Sequence, residues 1–459
     1  MSRARIAHIG LPEFGMPAVM PQLQAATYRA RLDRFRAIAT ERGFDRVVIY
    51  ADREHSANIS YLTGFDPRFE EAVLVIGRDG DPAILAGNEC FGMAGAAPVS
   101  MRRHLYQDLS LPNQPRDRSR TLSEILRDEG VVSGARIGVI GWKAYASPSW
   151  IDAPSYLVDQ IRDLTGPAGS VVNAADILID PEHGLRTHNE VEQIAMFEYA
   201  SCQTSDGVRQ LLLGLRPGMT EQEAVRLLRW NGAPLSCHLM LTAGSRASLG
   251  LLSPSDRAIE LGDRFTTAFG IWGALTCRAG FVTEDATGLP AGTRDYVERL
   301  VAPYFEAVVE WYEALRIGLP GGALQEIIDR RLGDPFFGIF LNPGHLLHLD
   351  EWVSSPVWRG SRVPLRSGMV LQVDIIPATG TEYFTTNIED GIAIADAALR
   401  EELAARYPDA WLRVERRRRF MHDSLGITLQ PEVLPLSNMP AYLPPFLLRP
   451  DHVMTLAGG

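Results

Sequence analysis

One local pattern occurs twice in the second half of the chain. GLRPGMTEQEAVRLL at 214–228 is echoed by IGLPGGALQEIIDRRL at 317–332. The Pro-Gly pairs at 217–218 and 320–321 and the glutamates at 223 and 326 share an offset of 103 residues. Each copy follows a long helical stretch, HNEVEQIAMFEYASCQTSDGVRQLLLGL and then DYVERLVAPYFEAVVEWYEALR. In the first stretch Val191, Ile194 and Phe197 recur at three-residue steps and Val208, Leu211 and Leu212 resume the stripe, as an amphipathic helix requires. Pro217-Gly218 breaks it, and Thr220 with Glu223 makes a capping box for the next helix. Strand-like runs come after each copy: HLMLTAG and DRFTTAFGIW, then GMVLQVDII and IEDGIAIA. A helical unit followed by strands, used twice, points to an internally duplicated α+β domain.

The first half reads differently. An arm covers residues 1–27, and a helical pattern from Tyr28 (YRARLDRFRAIATERGF) stops near Gly43. RVVIYA, SYLTGF, EAVLVIG, PAILAG and IGVIG are short β-rich runs alternating with helices, which describes a smaller α/β domain over 28–180. The duplicated domain occupies 186–400. A proline-rich, apolar tail follows over 401–459 (AWLRVERRRRF, then LQPEVLPLSNMPAYLPPFLL), expected as an extended segment packed on the domain because a free tail would be less hydrophobic.

Charge and composition exclude several functions. Acidic residues outnumber basic ones 56 to 45, for a net charge of -11, and the longest basic block is Arg416-Arg417-Arg418-Arg419. Nucleic-acid binding draws most of its affinity from phosphate neutralisation, so no nucleic-acid partner is expected. Lys143 is the single lysine, leaving one candidate for Schiff-base chemistry. Cys90, Cys202, Cys237 and Cys277 lie far apart with no CxxC pair, which suggests neither a zinc ribbon nor a disulfide scaffold but reduced thiols in a cytoplasmic protein. The N-terminal stretch is broken by His8, Pro12, Glu13 and Pro17 and fails as a signal peptide. The most apolar run, Phe265 to Val282, carries threonines and Arg278 and reads as core strands, not a membrane span.

The chain from about 28 to 396 resembles the creatinase/aminopeptidase superfamily, the pita-bread hydrolases that include methionine and Xaa-Pro aminopeptidases, prolidase and creatinase. SYLTGF is typical of a creatinase/prolidase-type N-terminal domain, NPGHLLHLDEW carries the Gly-His phrase, GMVLQVDII the Gly-Met-Val strand, and IEDGIAIA the final glutamate strand. The resemblance implies a pita-bread domain with pseudo-twofold duplication behind a smaller N-terminal domain. It also implies a homodimer in which one subunit's N-terminal domain helps close the other's site. Metallopeptidases of this group hold two ions with two aspartates, one histidine and two glutamates. The corresponding positions here are His345, Asp374 in place of a glutamate, and Glu389. In the Gly-Asp-x-Val-x-x-Asp frame, GDRFTTAFG puts Ala268 at the first aspartate, Ala279 falls eleven residues on at the second, and a further expected histidine falls on Leu251. A dinuclear site needs carboxylates to bridge its cations. No cofactor is therefore expected, with a single divalent ion at His345, Asp374 and Glu389 as the fallback.

The resemblance to creatinase then leads to the expected activity: metal-independent hydrolysis of a C–N bond, amide or amidine, in a small polar metabolite. His345 is the expected general acid/base, with Asp374 and Glu389 holding a positive or NH-rich group of the substrate. An unpaired aspartate in the apolar run VLQVDIIP is costly to bury, which favours a site there over simple packing. His348 is a second proton carrier or substrate contact. Arg278, Arg246 and Arg68 are candidate substrate ligands for a carboxylate, weighed against a merely structural place among 44 arginines. His55 and Glu70 are weaker candidates in the N-terminal stretch, and Cys277 reads as a buried structural thiol with no evident base partner. Three other readings stay open: an Xaa-Pro metallopeptidase with an atypical ion site, a non-catalytic binding scaffold, and a lyase on the same fold.

Overall fold

The structure, a computed structural model, describes residues 3–458. It divides into two compact units: Leu23–Arg186, and a larger one made of the residues through Gln22 together with those from Thr187 on. The arm therefore joins the larger unit. Its strand β1 (Arg5–His8) pairs antiparallel with the last strand, β15 (His452–Thr455), in register Arg5↔Thr455.

The smaller unit is a six-stranded mixed sheet, order β5-β4-β3-β2-β6-β7, with β2 Arg46–Ala51, β3 Ala72–Gly77, β4 Ala83–Ala86, β5 Arg102–Leu105, β6 Arg136–Ile140 and β7 Ser170–Asn173. Two apolar clusters lie on its faces, one built around Phe35, Ile49 and Leu74, the other around Val48, Val75 and Val139. Alternation along a strand sends successive side chains to opposite faces, so β2 alone feeds both clusters. SYLTGF, grouped with the β-rich runs above, is instead the end of a helix, Ala57–Thr63. Gly64, at φ 73°, takes the left-handed conformation that closes it.

The larger unit contains a seven-stranded sheet, order β11-β12-β13-β10-β9-β8, with β14 on β13. Its strands are β8 Met240–Ala243, β9 Arg264–Ile271, β10 Ala274–Phe281, β11 His345–Leu346, β12 Val370–Asp374, β13 Asn387–Ile394 and β14 Val433–Pro435. The duplication is present, but its register is 100 residues, not 103. The Val191–Gly214 helix runs into Leu215 and the Ala302–Ala314 helix into Leu315, both extended. Gly218 (φ 92°) and Gly318 (φ 84°) occupy matching left-handed turns. The Gly218 N–H donates to the Ile259 carbonyl at 2.7 Å, and the Gly318 N–H to the Leu365 carbonyl at 2.8 Å. The left-handed glycine is the conserved element of the turn, since only Gly adopts that φ at no steric cost. Aligning the Pro-Gly pairs displaced the second copy by three residues and matched Glu326 to Glu223, whose counterpart is Ala323. The Thr220–Glu223 capping box is formed as expected.

The first part of the C-terminal tail departs from its expected extended form, whereas the proline-rich stretch 429–448 is non-helical and mostly buried. AWLRVERRRRF lies within a helix, Pro408–Phe420. Arg413 and Arg417 reach inward from it to the buried Glu198, at 2.6 and 2.7 Å, leaving Arg416 and Arg419 on the surface. The arginine run that looked like one basic block is thus split by helical periodicity. No helix among the described residues is long and apolar enough to cross a membrane.

Candidate functional site

Five strands of the larger sheet carry one transverse row of side chains. Asp374 on β12 lies opposite Glu389 on β13, Glu389 opposite Cys277 on β10, Cys277 opposite Ala268 on β9, and Ala268 opposite Met240 on β8. Cross-strand partners share a face, so the row is acidic at one end and apolar at the other. Its members keep 4–8% exposure, whereas Arg278, Asp390, Thr276 and Ile388 on the opposite face keep 0–1%. The row thus keeps a slight solvent access that the opposite face lacks, and this face is called the crevice.

His345 joins this face from β11, which pairs with β12 in register His345↔Gln372. The preceding Gly344 (φ 134°) is sterically required: a Cβ there would meet the Trp311 ring at 2.8 Å. Beyond β11 the chain doubles back. Leu346 and Val353–Ser354 exchange backbone hydrogen bonds of 2.7 and 3.0 Å, and the return brings Glu351 and Trp352 over the imidazole. His345 Nε2 lies 3.2 Å from Glu351 Oε1, 3.5 Å from Glu389 Oε1 and 4.0 Å from Asp374 Oδ2. Trp352 stacks on the ring, centroids 4.1 Å apart and planes 12° from parallel. The Cys277 thiol donates to Glu389 Oε2 at 2.7 Å. Asp374 Oδ1 is buried without a hydrogen-bond partner.

Three carboxylates around one imidazole set the charge of the crevice. Burial by itself would lower the His345 pKa, but the carboxylates of Glu351, Glu389 and Asp374 around the ring outweigh it and push it up to about 10. His345 is therefore a protonated acid near neutral pH. Burial and the Glu389 charge drive Asp374 well above the carboxylate range, His345 opposing. Burial likewise raises Glu389, with the nearby His345 opposing.

The structure thus brings His345, Asp374 and Glu389 together and places the other candidates elsewhere. Arg278 is corrected from substrate ligand to core residue. It lies on the opposite face, paired with Asp390 at 2.9 Å and donating to the carbonyls of Cys277, Met439 and Tyr442. Arg246 is tied to the buried Glu221 at 3.2 Å and to the Ser253 carbonyl at 2.9 Å. His348 is buried edge-on against Phe197, centroids 5.3 Å apart. Arg68, in the smaller unit, pairs with Asp66 at 2.9 Å. In that unit His55 bonds Asp52 at 3.1 Å, and buried Glu70 accepts the Cys90 N–H at 2.9 Å, a structural role. Cys277 sits inside the row as a buried thiol whose pKa burial drives well up, as a structural cysteine would.

Glu351 and Trp352 escaped the sequence reading. Glu351 was visible only as an acid six residues after His345, and nothing local signals the reversal that brings it back.

The donor set fits one metal ion and not a bridged pair. Ligand atoms of His345, Glu351 and Glu389 lie within 4.8 Å of one another. This regroups the fallback site: Glu351, not Asp374, completes it. Ala268 and Ala279 supply no donor atom where a second ion would need bridging carboxylates.

Fold and site together define a pita-bread protein behind a creatinase-type N-terminal domain. Residues 31–146 match the family described as Creatinase/Prolidase N-terminal domain. The uncharacterized peptidase YqhT of Bacillus subtilis (strain 168) is 28% identical over 222 residues, covering 46% of this chain and 61% of that peptidase. The chain therefore matches under two thirds of that relative's length. A prolidase from Thermococcus sibiricus superposes with a TM-score of 0.62 at 19% identity, over 80% of this chain and 95% of that one. The Xaa-Pro dipeptidase from Bacillus anthracis gives 0.61 at 16%, over 81% and 96%. At these identities the structures establish the fold. The family match thus covers residues 31–146, and over the rest of the chain the likeness to the prolidase and the Xaa-Pro dipeptidase is one of fold.

Proposed function

We infer that this protein hydrolyses a C–N bond of a small polar substrate, metal-independently, in the crevice around His345. The observation that carries this reading is the buried imidazole held 3.2 Å from Glu351 and 3.5 Å from Glu389. A proton held at Nε2 is placed for transfer to a departing nitrogen. Glu351, nearest to Nε2 and with a side chain 25% exposed, takes a proton from the attacking water. The hydroxide so formed adds to the carbonyl-type carbon. The C–N bond breaks as its nitrogen takes the Nε2 proton, and the Glu351 proton returns to His345. Asp374 and Glu389 hold N–H groups of the substrate, because buried acceptors are costly unless matched by donors. A homodimer belongs to this reading through the superfamily resemblance.

The test is an assay of purified protein against dipeptides including Xaa-Pro, small amides and amidines, following both the amine and the acid product. Turnover that falls in His345→Gln with the fold retained supports the reading. Absence of turnover on every substrate leaves a binding scaffold, and an amine released with an unsaturated product instead of an acid marks a lyase.

A second reading has its own support in the 4.8 Å grouping of His345, Glu351 and Glu389. Those residues would hold a single divalent ion, which supplies Lewis-acid polarisation and a more acidic bound water. The prolidase and Xaa-Pro dipeptidase named above lend their chemistry to this version. Activity that tracks near-stoichiometric metal, lost on chelation and restored on reloading, would replace the metal-free version with it.

A further inference from the structure

Carboxylates crowd His345, yet no close hydrogen bond fixes its ring. Glu351 and Glu389 stand 3.2 and 3.5 Å from Nε2, but Nε2 makes no hydrogen bond of good geometry among the described residues. Nδ1 meets the carbonyl of its own neighbour Leu346 at 3.3 Å, beyond the usual range of about 2.7–3.2 Å. That carbonyl already accepts the Val353 N–H at 3.0 Å. A histidine that moves protons is ordinarily oriented by a bond from its other nitrogen, and here that bond is weak.

The torsion about Cβ–Cγ has a broad minimum and imposes little order of its own. A charge attracts Nε2 at many ring angles, whereas proton transfer needs the N–H axis aimed at its acceptor. What meets the ring is Trp352, stacked with centroids 4.1 Å apart and planes 12° from parallel. A flat stack opposes the tilt that charges at the ring edge leave free. Neighbouring aromatic contacts in this unit are edge-on, at 88° for Phe197 with His348 and 87° for Trp311 with Tyr312, so parallel packing is particular to this pair. The reversal closed by the Leu346 N–H on the Ser354 carbonyl at 2.7 Å carries Trp352 and Glu351 together. The indole over the ring and the carboxylate nearest Nε2 are thus adjacent residues.

We propose that Trp352 is a positioning residue: its indole fixes the plane of the His345 imidazole and so aims Nε2 between Glu351 and the departing nitrogen of the substrate. The inference rests on the hydrolase reading for what the aimed nitrogen does. The placement of the ring is tested apart from turnover.

Full-length protein labelled isotopically at histidine gives ten ring signals in NMR, and the one lost in His345→Gln belongs to His345. In the wild type, cross-relaxation between the His345 ring protons and an indole is expected, and its absence overturns the proposal whether or not the variants fold. The His345 signal should move downfield in Trp352→Leu, which removes the ring current, and move less in Trp352→Phe, which keeps a flat ring. On a substrate that is turned over, Trp352→Leu is expected to lower kcat by roughly tenfold or more at nearly constant KM, because a misplacement of about 1 Å can cost ~10²-fold. Trp352→Phe should recover most of that loss. Equal turnover in the two variants, or a His345 signal unmoved in Trp352→Leu, marks a tryptophan that merely fills space and overturns the proposal. Failure of the hydrolase reading looks different: no turnover in any of these proteins, with the cross-relaxation present in the wild type, upholds the placement of the ring and strikes its use in hydrolysis.

Discussion

The thiol of Cys277 donates a 2.7 Å hydrogen bond to Glu389 Oε2 from the directly opposite position on the adjacent strand. A cysteine thus occupies the place between two alanines, Ala268 and Ala279, where a metal-binding relative would be rich in carboxylates. It serves as a proton donor to the one glutamate that remains.

Because the thiolate is the reactive form of cysteine, this arrangement predicts inertness. Burial and Glu389 push the Cys277 pKa well up, and burial pushes Cys202 up to about 12. At pH 8, iodoacetamide should label half-buried Cys237 and leave Cys277 and Cys202 intact in the folded protein. Peptide mass mapping checks this, and early modification of Cys277 would contradict the hydrogen-bonded assignment.

The charge of His345 predicts how stability changes with pH. Its folded pKa of about 10 lies above the ordinary 6.5, so its contribution is complete below 6.5 and is lost as pH rises through 10. Asp374 and Glu389, also raised, carry the same sign: the folded state holds their protons more tightly, and that advantage declines as pH climbs from the ordinary carboxylate range. The thermal midpoint should therefore fall between pH 6.5 and 10 in the wild type and fall less in His345→Gln. The same variant should reduce turnover about 10²–10⁴-fold. Parallel melting curves for the two proteins would refute the charge assignment.

Asp374→Asn removes a carboxyl group crowded against Glu389 while keeping its shape. Relief of that repulsion should raise the midpoint at pH 8 by about 2 °C or more, a gain of roughly 1 kcal/mol, while substrate binding weakens. A lower midpoint would mean that Asp374 is held by a partner in the folded state.

Metal titration should saturate at no more than one ion per chain, because Ala268 and Ala279 leave no bridging ligands. Calorimetry with Mn²⁺ or Zn²⁺ on chelator-treated protein reads the stoichiometry, and Glu351→Gln should weaken whatever binding is found. Two equivalents at high affinity would show that other groups replace the missing aspartates.

Arg278→Met tests the arginine that the sequence offered as a substrate contact. Breaking one half of its buried pair with Asp390 should cost about 3–5 kcal/mol of stability in urea denaturation. A stable variant with impaired substrate binding would return Arg278 to the site.

The sequence by itself determined the repeated helix–turn units, most strands of the two large sheets though not the short β5, β7, β11 and β14, and three side chains of the crevice. These are set by periods of 3.6 and 2, by caps, and by short phrases such as the Gly-His of Gly344 and His345, all of them local properties. Even there the repeat was placed three residues off, because a Pro-Gly pair is conspicuous in text whereas the left-handed φ shared by Gly218 and Gly318 is not. Tertiary structure alone decided the rest. Glu351 and Trp352 reach His345 only because the chain reverses after Leu346, Glu389 faces Cys277 only through strand register, and β1 finds its partner β15 at the far end of the chain. Arg278 and Cys277 are adjacent in sequence, yet alternation on β10 sends one into the core and the other into the crevice. Pairings between distant segments depend on the free energy of the whole packed sheet, and no short stretch of sequence carries that information.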